Sequence, residues 1–279
     1  AMEAGVILRP FIKWAGGKTQ LLAELRRRVP KFFATYHEPF IGGGAMFLSL
    51  SPTKAYINDI NPQLVNLYRQ IRDNVGELLE IIRREDSVLC DKEYYYSVRK
   101  RYNNKISNAE LDVEAAALMV WCNRHCFNGL YRVNCKGLFN VPYNNKVGGS
   151  SIDRENLLRI NEYLNQADVS ISNLDFEEAC KNVKAGDFVY LDPPYAPVSE
   201  TADFTSYTKD GFGISDHKRV AALFHSLSEK GAYVMASNSS TLFVRELYEG
   251  CNIEVVSAKR MINRDASKRT GEELIIRNY

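Results

Sequence analysis

Apolar positions along the chain recur with two different periods, and the places where the period changes predict its organisation. Leu21, Leu22, Leu25 and Val29 fall on one helical face, and Pro30 follows them. A short strand near Tyr36 runs into Pro39-Phe40-Ile41-Gly42-Gly43-Gly44, a glycine turn that opens a second helix. Ala55 to Asn58 then alternates as a strand and ends at Asp59. From Pro62 to Glu114 the spacing is helical, with Leu64, Val65, Leu67, Tyr68 and Ile71 on one face and Leu78, Leu79, Ile81 and Ile82 on the next. After a helix ending near Asn123, the alternating stretch from Gly129 to Pro142 predicts a β-hairpin turning at Lys136-Gly137, and Asn144 to Ser151 is a polar linker. Strand and helix alternation resumes with Val169 to Ser172, the apolar run Phe188 to Leu191, a helix around Asp216 to Ser228 and a strand from Ala232. The expectation is one doubly wound α/β domain formed by residues 1–61 and 153–279, interrupted by a helical and hairpin insertion over 62–152.

Composition narrows this picture only slightly. The 279 residues carry 36 Lys and Arg against 34 Asp and Glu, with 45% hydrophobic and 25% charged positions, which is ordinary for a soluble domain. A net charge of +2 excludes no nucleic-acid partner, because distribution matters more than the sum. The six cysteines form no C-x-x-C pair, and Cys122, His125 and Cys126 lack an evident fourth ligand, so no metal is expected. No apolar run approaches the roughly 20 residues a membrane helix needs, and a cytoplasmic protein without a membrane partner is expected.

The candidate chemistry begins at Asp192-Pro193-Pro194-Tyr195, just past the carboxyl end of an apolar strand. The lone pair of an aromatic amine is delocalised into its ring. An acceptor for each N–H draws the nitrogen toward a tetrahedral shape and exposes that pair. Asp192 can be one acceptor, a carbonyl held by the stiff Pro193-Pro194 pair can be the other, and Tyr195 can stack on the base. Phe40 and the glycines Gly42 and Gly44, followed by Asp59 at the next strand end, have the logic of a nucleoside-cofactor site. The glycines allow close backbone approach, and the carboxylate accepts ribose hydroxyls. Phe47 stands where a dinucleotide fingerprint needs glycine, which favours S-adenosylmethionine over a nicotinamide cofactor. Gly17-Lys18-Thr19 is not a phosphate loop, because Ile12 occupies the position of its first glycine. In the insertion, Arg124, Asn128, Arg132, Asn134, Lys136 and Asn140 interleave with Phe127, Leu130, Tyr131 and Phe139, a pattern suited to a DNA groove. Lys259, Arg260, Arg264, Lys268 and Arg269 add a second basic stretch suited to phosphates.

In this order the motifs resemble the Dam-type DNA adenine-N6 methyltransferases. The anchors are Lys13 to Lys18, Glu38 to Gly44, Asn58 to Asn61, Asn128 to Asn134, Phe139 to Pro142 and Asp192 to Tyr195. The resemblance implies a Rossmann-like S-adenosylmethionine-dependent methyltransferase domain carrying an inserted target-recognition domain. It implies transfer of a methyl group to N6 of a flipped adenine in double-stranded DNA, at GATC. On the cofactor side it places Trp14, Lys18, Phe40, Gly42, Gly44, Asp59, Asp175, Phe176 and Asp192. Lys13, Leu130, Arg132 and Pro142 match positions that read the site, Phe127 matches an aromatic wedge, and Asn128 a helper near the flipped base. Arg124 joins them as a DNA contact, and residues 200–212 match a loop beside the active site. A monomer, working beside a cognate restriction endonuclease, is the expected form. Cytosine-N4 methylation, a catalytically silent DNA-binding protein and an NAD-dependent oxidoreductase are the alternatives. Enzymes of the first kind usually carry serine where Asp192 stands, and the intact Asp192, Asp59 and glycine turn speak against the second.

Overall fold

The computed structural model describes residues 5–198, 211–257 and 272–279. The loop expected over 200–212 lies outside them except for Gly211 and Phe212, and so does the basic stretch from Lys259 to Arg269. Among the described residues the helices are α1 (Leu22–Arg27), α2 (Ala45–Leu50), α3 (Pro62–Asp73), α4 (Val75–Asp86), α5 (Lys92–Ser107), α6 (Val113–His125), α7 (Arg154–Gln166), α8 (Phe176–Ala179), α9 (Ile214–Glu229) and α10 (Leu242–Leu247). The strands are β1 (Tyr36–Glu38), β2 (Lys54–Asn58), β3 (Asp168–Ser172), β4 (Phe188–Leu191), β5 (Tyr233–Ser239), β6 (Asn252–Ser257) and β7 (Glu272–Arg277). The fold is mixed α/β with a seven-stranded sheet, as the alternation predicts. The chain forms two compact units, one from residues 1–17, 42–51 and 59–173, the other from 18–41, 52–58 and 174–279.

The second unit holds six of the strands, in the order β2-β1-β4-β5-β7-β6. β2, β1, β4 and β5 run parallel, whereas β7 lies antiparallel to both β5 and β6. Every residue of β4 is buried, so its apolar run needs no alternation. Val189, Leu191, Val234, Ala236, Leu274 and Ile276 pack with Phe224 and Leu227 of α9. Order reverses between β1 and β4: the chain moves outward to β2 on one side and to β5 on the other. Ligands of open parallel sheets bind beyond the carboxyl ends of the strands at such a reversal. The segments that emerge there are Pro39-Phe40 and Asp192 to Tyr195.

The first unit is mainly helical. Asn61 caps α3, accepting the N–H groups of Gln63 and Leu64 at 3.0 and 3.1 Å, and Pro62 stands at the first helical position. Aspartates do the same for three other helices: Asp91 for α5, Asp112 for α6 and Asp153 for α7. α6 is buried from Ala115 to Asn123, which is why its apolar residues show no one-sided pattern.

The predicted hairpin has its turn but almost no ladder. Val133 and Phe139 form one bridge, and the Gly137 N–H closes the turn on the Asn134 carbonyl at 2.9 Å. Two backbone hydrogen bonds flank that bridge, from the Asn134 N–H to the Leu138 carbonyl at 2.8 Å and from the Asn140 N–H to the Arg132 carbonyl at 3.1 Å, and side chains supply the remaining partners. Asn134 Oδ1 accepts the N–H groups of Lys136 and Leu138, while Asn103 of α5 binds both the N–H and the carbonyl of Phe139. Tyr95 and Arg99 donate to the Val141 carbonyl. The arm is thus closed on itself by a short backbone ladder and pinned to α5 by side chains.

Candidate active site and nucleic-acid interface

Asp192 leaves β4 with its side chain 16% exposed, and the ammonium of Lys18 lies 2.9 Å from Oδ1. Lys18, itself only 6% exposed, precedes the short turn Thr19–Leu21 that starts α1. The same ammonium lies over the ring of Tyr195, 4.3 Å from its centroid. Burial raises the pKa of Asp192 above the usual carboxylate value, and the charge and hydrogen-bonding capacity of Lys18 work against that rise. A carboxylate withdrawn from water without a cation would be far more costly, so the pair keeps an anion at a nearly dry strand end.

The segment after the tetrapeptide is held at Ala196. Its N–H donates to Asn238 Oδ1 at 2.9 Å, and its carbonyl accepts from the Ser239 hydroxyl at 2.6 Å. Both side chains are buried at the end of β5. Tyr190 of β4 and Ser237 of β5 share a further buried hydrogen bond of 2.6 Å. These contacts restrain the loop that carries Pro193, Pro194 and Tyr195.

Phe40, Asp175 and Phe176 form a second group in the same unit. The rings of Phe40 and Phe176 are 5.1 Å apart, and the Arg219 guanidinium covers Phe176 at 4.4 Å. Asp175 caps α8 by accepting the Glu177 N–H at Oδ2, and Arg219 binds that same oxygen at 2.8 Å. Among the described residues no hydrogen bond reaches Oδ1.

The first unit carries Trp14, Gly42, Gly44 and Asp59. Gly42 and Gly44 have φ of +48° and +74°, conformations that a side chain strains. A Cβ on Gly42 would also lie 2.9 Å from Trp14 Cδ1. Asp59 accepts the Gly42 N–H at Oδ2 and the Asn61 N–H at Oδ1, both at 3.0 Å. Burial raises its pKa while these backbone donors favour the anion.

Lys13, Arg124, Phe127, Asn128, Leu130, Arg132 and Pro142 are all exposed and all belong to the first unit. Phe139, Val141 and Tyr143 of the same stretch are buried, so one side of the arm anchors it and the other is offered to solvent. Asn123 fixes Lys13 by accepting its N–H at 3.0 Å and donating to its carbonyl at 2.9 Å, and it also donates to the Gly129 carbonyl at 3.2 Å. Arg132 Nε donates to Asn140 Oδ1 at 3.0 Å.

The sequence places Lys18 on the cofactor side together with Asp192, and in the fold its ammonium meets that carboxylate. Sequence reasoning missed Arg219, Asn123, Asn238 and Ser239. A signal existed for two of these: the polar run Ser237-Asn238-Ser239 ends an otherwise apolar strand, where site residues collect. Arg219 and Asn123 sit inside helices without any such mark.

The chain is similar to known proteins along most of its length. The family described as D12 class N6 adenine-specific DNA methyltransferase matches residues 14–262. A Type II methyltransferase of Lactococcus lactis subsp. cremoris is 45% identical over 98% of this chain and 96% of its own. A Type II methyltransferase of Methanocaldococcus jannaschii is 40% identical over 98% and 99%. The DNA adenine methylase of Escherichia coli is 30% identical over 97% and 95%.

Gly42→Ala is expected to lower the unfolding free energy by about 1–3 kcal/mol, since it adds backbone strain and a collision with Trp14. Urea denaturation checks this, and an unchanged midpoint would mean that the turn tolerates a side chain.

Proposed function

The chain belongs to the D12 class of N6 adenine-specific DNA methyltransferases, and from that premise we propose that it methylates the adenine of GATC after turning that base out of the duplex. The enzyme acts on double-stranded DNA with S-adenosylmethionine, which when bound supplies an electrophilic methyl group on a sulfonium. Among the described residues no helix is long and apolar enough to cross a membrane.

The observation that carries the reading is the buried Lys18–Asp192 pair beyond β4. It keeps a carboxylate ionised where a base amine can enter and water is scarce. Asp192 accepts one N–H of the adenine amine and the Pro193 carbonyl accepts the other, so the nitrogen lone pair turns out of conjugation and toward the methyl group. The raised pKa makes Asp192 a better acceptor for the proton that the amine sheds. Tyr195, beneath the Lys18 ammonium, stacks on the extruded base.

Each unit presents residues suited to part of a nucleoside cofactor. Asp175 has its Oδ2 occupied by the Glu177 N–H and Arg219, which leaves Oδ1 for an adenine amine beside the Phe40 and Phe176 rings. Each Asp59 oxygen holds one backbone donor and retains capacity for a ribose hydroxyl. Gly42 and Gly44 admit close approach of the methionine portion beside Trp14, and Lys18 acts through Asp192. In this reading 62–152 forms the recognition domain, and 1–61 with 153–279 the catalytic one. Lys13, Leu130, Arg132 and Pro142 read the bases, Phe127 wedges the stack, Asn128 assists the flipped base and Arg124 grips the backbone. The Type II names of two relatives support a cognate endonuclease as the companion, and the same reading takes the enzyme as monomeric and cytoplasmic.

Plasmid incubated with the protein and labelled S-adenosylmethionine is expected to resist nucleases that cut GATC only when its adenine is unmethylated. Complete cutting of plasmid that has taken up label would place the methylated site elsewhere. A duplex with 2-aminopurine at the target adenine is expected to brighten on binding, and steady emission would count against extrusion.

Methyl transfer requires ionised Asp192, so activity falls as pH drops through its raised pKa. In Lys18→Met the cation that opposes burial is gone, and the acid limb of kcat/KM is expected to move to higher pH. An unmoved limb would separate Lys18 from the ionisation of Asp192.

A further inference from the structure

Tyr131 belongs to the arm that carries Leu130 and Arg132, yet its ring faces away from the exposed side. It stacks on Trp14, with centroids 4.9 Å apart and planes within 24°. Phe139 supports it at 5.3 Å, and its hydroxyl shares a 2.7 Å hydrogen bond with that of Tyr102 on α5. Burial pushes its phenol up to about 12. Trp14 in turn is the group that a Cβ on Gly42 would strike, and Asp59 holds the Gly42 N–H. The Gly42 carbonyl accepts the Tyr68 hydroxyl at 3.0 Å. A continuous line of contacts therefore runs from the arm through Tyr131 and Trp14 to the glycine turn and Asp59, all within the first unit.

The line is firm at both ends. Asn123 ties the backbone of Lys13, the residue before Trp14, to the carbonyl of Gly129 at the base of the arm. A Cβ on Gly129 would collide with the Lys13 side chain. Gly129 has φ of +60° and Asn128 of +54°, so two successive residues hold left-handed backbone at this joint. Displacement of the arm thus bears on Trp14 both through the stacked ring and through the Lys13 backbone.

We propose that Tyr131 is a positioning residue that couples the reading of a DNA site to the cofactor turn: engagement of the arm by a cognate duplex sets the Trp14 ring and hence the Gly42–Asp59 geometry. This rests on the reading of Gly42 and Asp59 as cofactor ligands and of Arg132 and Leu130 as base readers. Coupling of this kind is reciprocal, so bound cofactor must favour cognate duplex by the same factor. A stacked aromatic pair sustains a coupling of about two- to tenfold.

The test titrates S-adenosylhomocysteine, which has no methyl group to transfer, into the full chain alone and into the chain saturated with a GATC duplex. The unmodified chain is expected to bind it about two- to tenfold more tightly with duplex present. Tyr131→Ala is expected to bring the two dissociation constants together. Tyr131→Phe keeps the stack, loses only the Tyr102 hydrogen bond, and is expected to retain the difference. Circular dichroism of the alanine variant checks that loss of coupling is not loss of fold, and Trp14→Phe, which preserves an aromatic face, supplies a second variant expected to keep part of the effect. Full coupling in Tyr131→Ala, or binding of both ligands by the unmodified chain without coupling, would overturn the inference and leave the site reading intact. Failure of either ligand to bind the unmodified chain would overturn the site reading and the inference with it.

Discussion

The ion pair between Lys18 and Asp192 is the contact on which the rest of the site depends. A carboxylate at the end of a fully buried strand would shed its charge by taking up a proton, and a neutral acid is a poor acceptor for an amine N–H. Lys18 opposes that uptake from 2.9 Å, and its ammonium also faces the ring expected to receive the base. The strand order explains why both are available at this point. From the adjacent strands β1 and β4 the chain continues to opposite sides of the sheet, and the segments beyond their ends gain room that a continuous winding would deny.

In each unit the fold invests in restraint more than in reactive groups. Asn238 and Ser239 hold both backbone polar atoms of Ala196, Arg219 and a helix N–H hold one oxygen of Asp175, and two backbone amides hold Asp59. Methyl transfer to an amine needs no covalent intermediate on the protein. It needs acceptors that stay in place while the amine changes shape, and fixed acceptors act without further reorganisation.

Much of this was legible in the sequence, and the reasons for the gaps are physical. The strand Phe188–Leu191 is unmistakable because both its faces are buried, and Asp192 stands out as the first polar residue beyond it. The glycine turn was legible because the positive φ values at Gly42 and Gly44 exclude most other residues. The partner of Asp192 was not legible, because nothing local in Gly17-Lys18-Thr19 says which distant strand end the ammonium will meet. Arg219 and Asn123 were hidden for the same reason: each works across the fold from inside a helix whose own pattern it satisfies. The arm read as a hairpin from its alternation, yet alternation reports which side is buried and not what the backbone pairs with. Here Asn103 and Asn134 supply partners beside the two backbone hydrogen bonds that cross the turn.

The central claim is that the charge on Asp192, and not merely its shape, prepares the amine. Asp192→Asn keeps the volume and removes the charge, so a single-turnover rate measured with a saturating GATC duplex and saturating S-adenosylmethionine isolates that contribution. The account predicts a fall of about 100- to 1,000-fold, with duplex affinity within a few-fold of the parent. A rate within a few-fold of the parent would contradict it, and would leave Asp192 as a residue that only shapes the pocket.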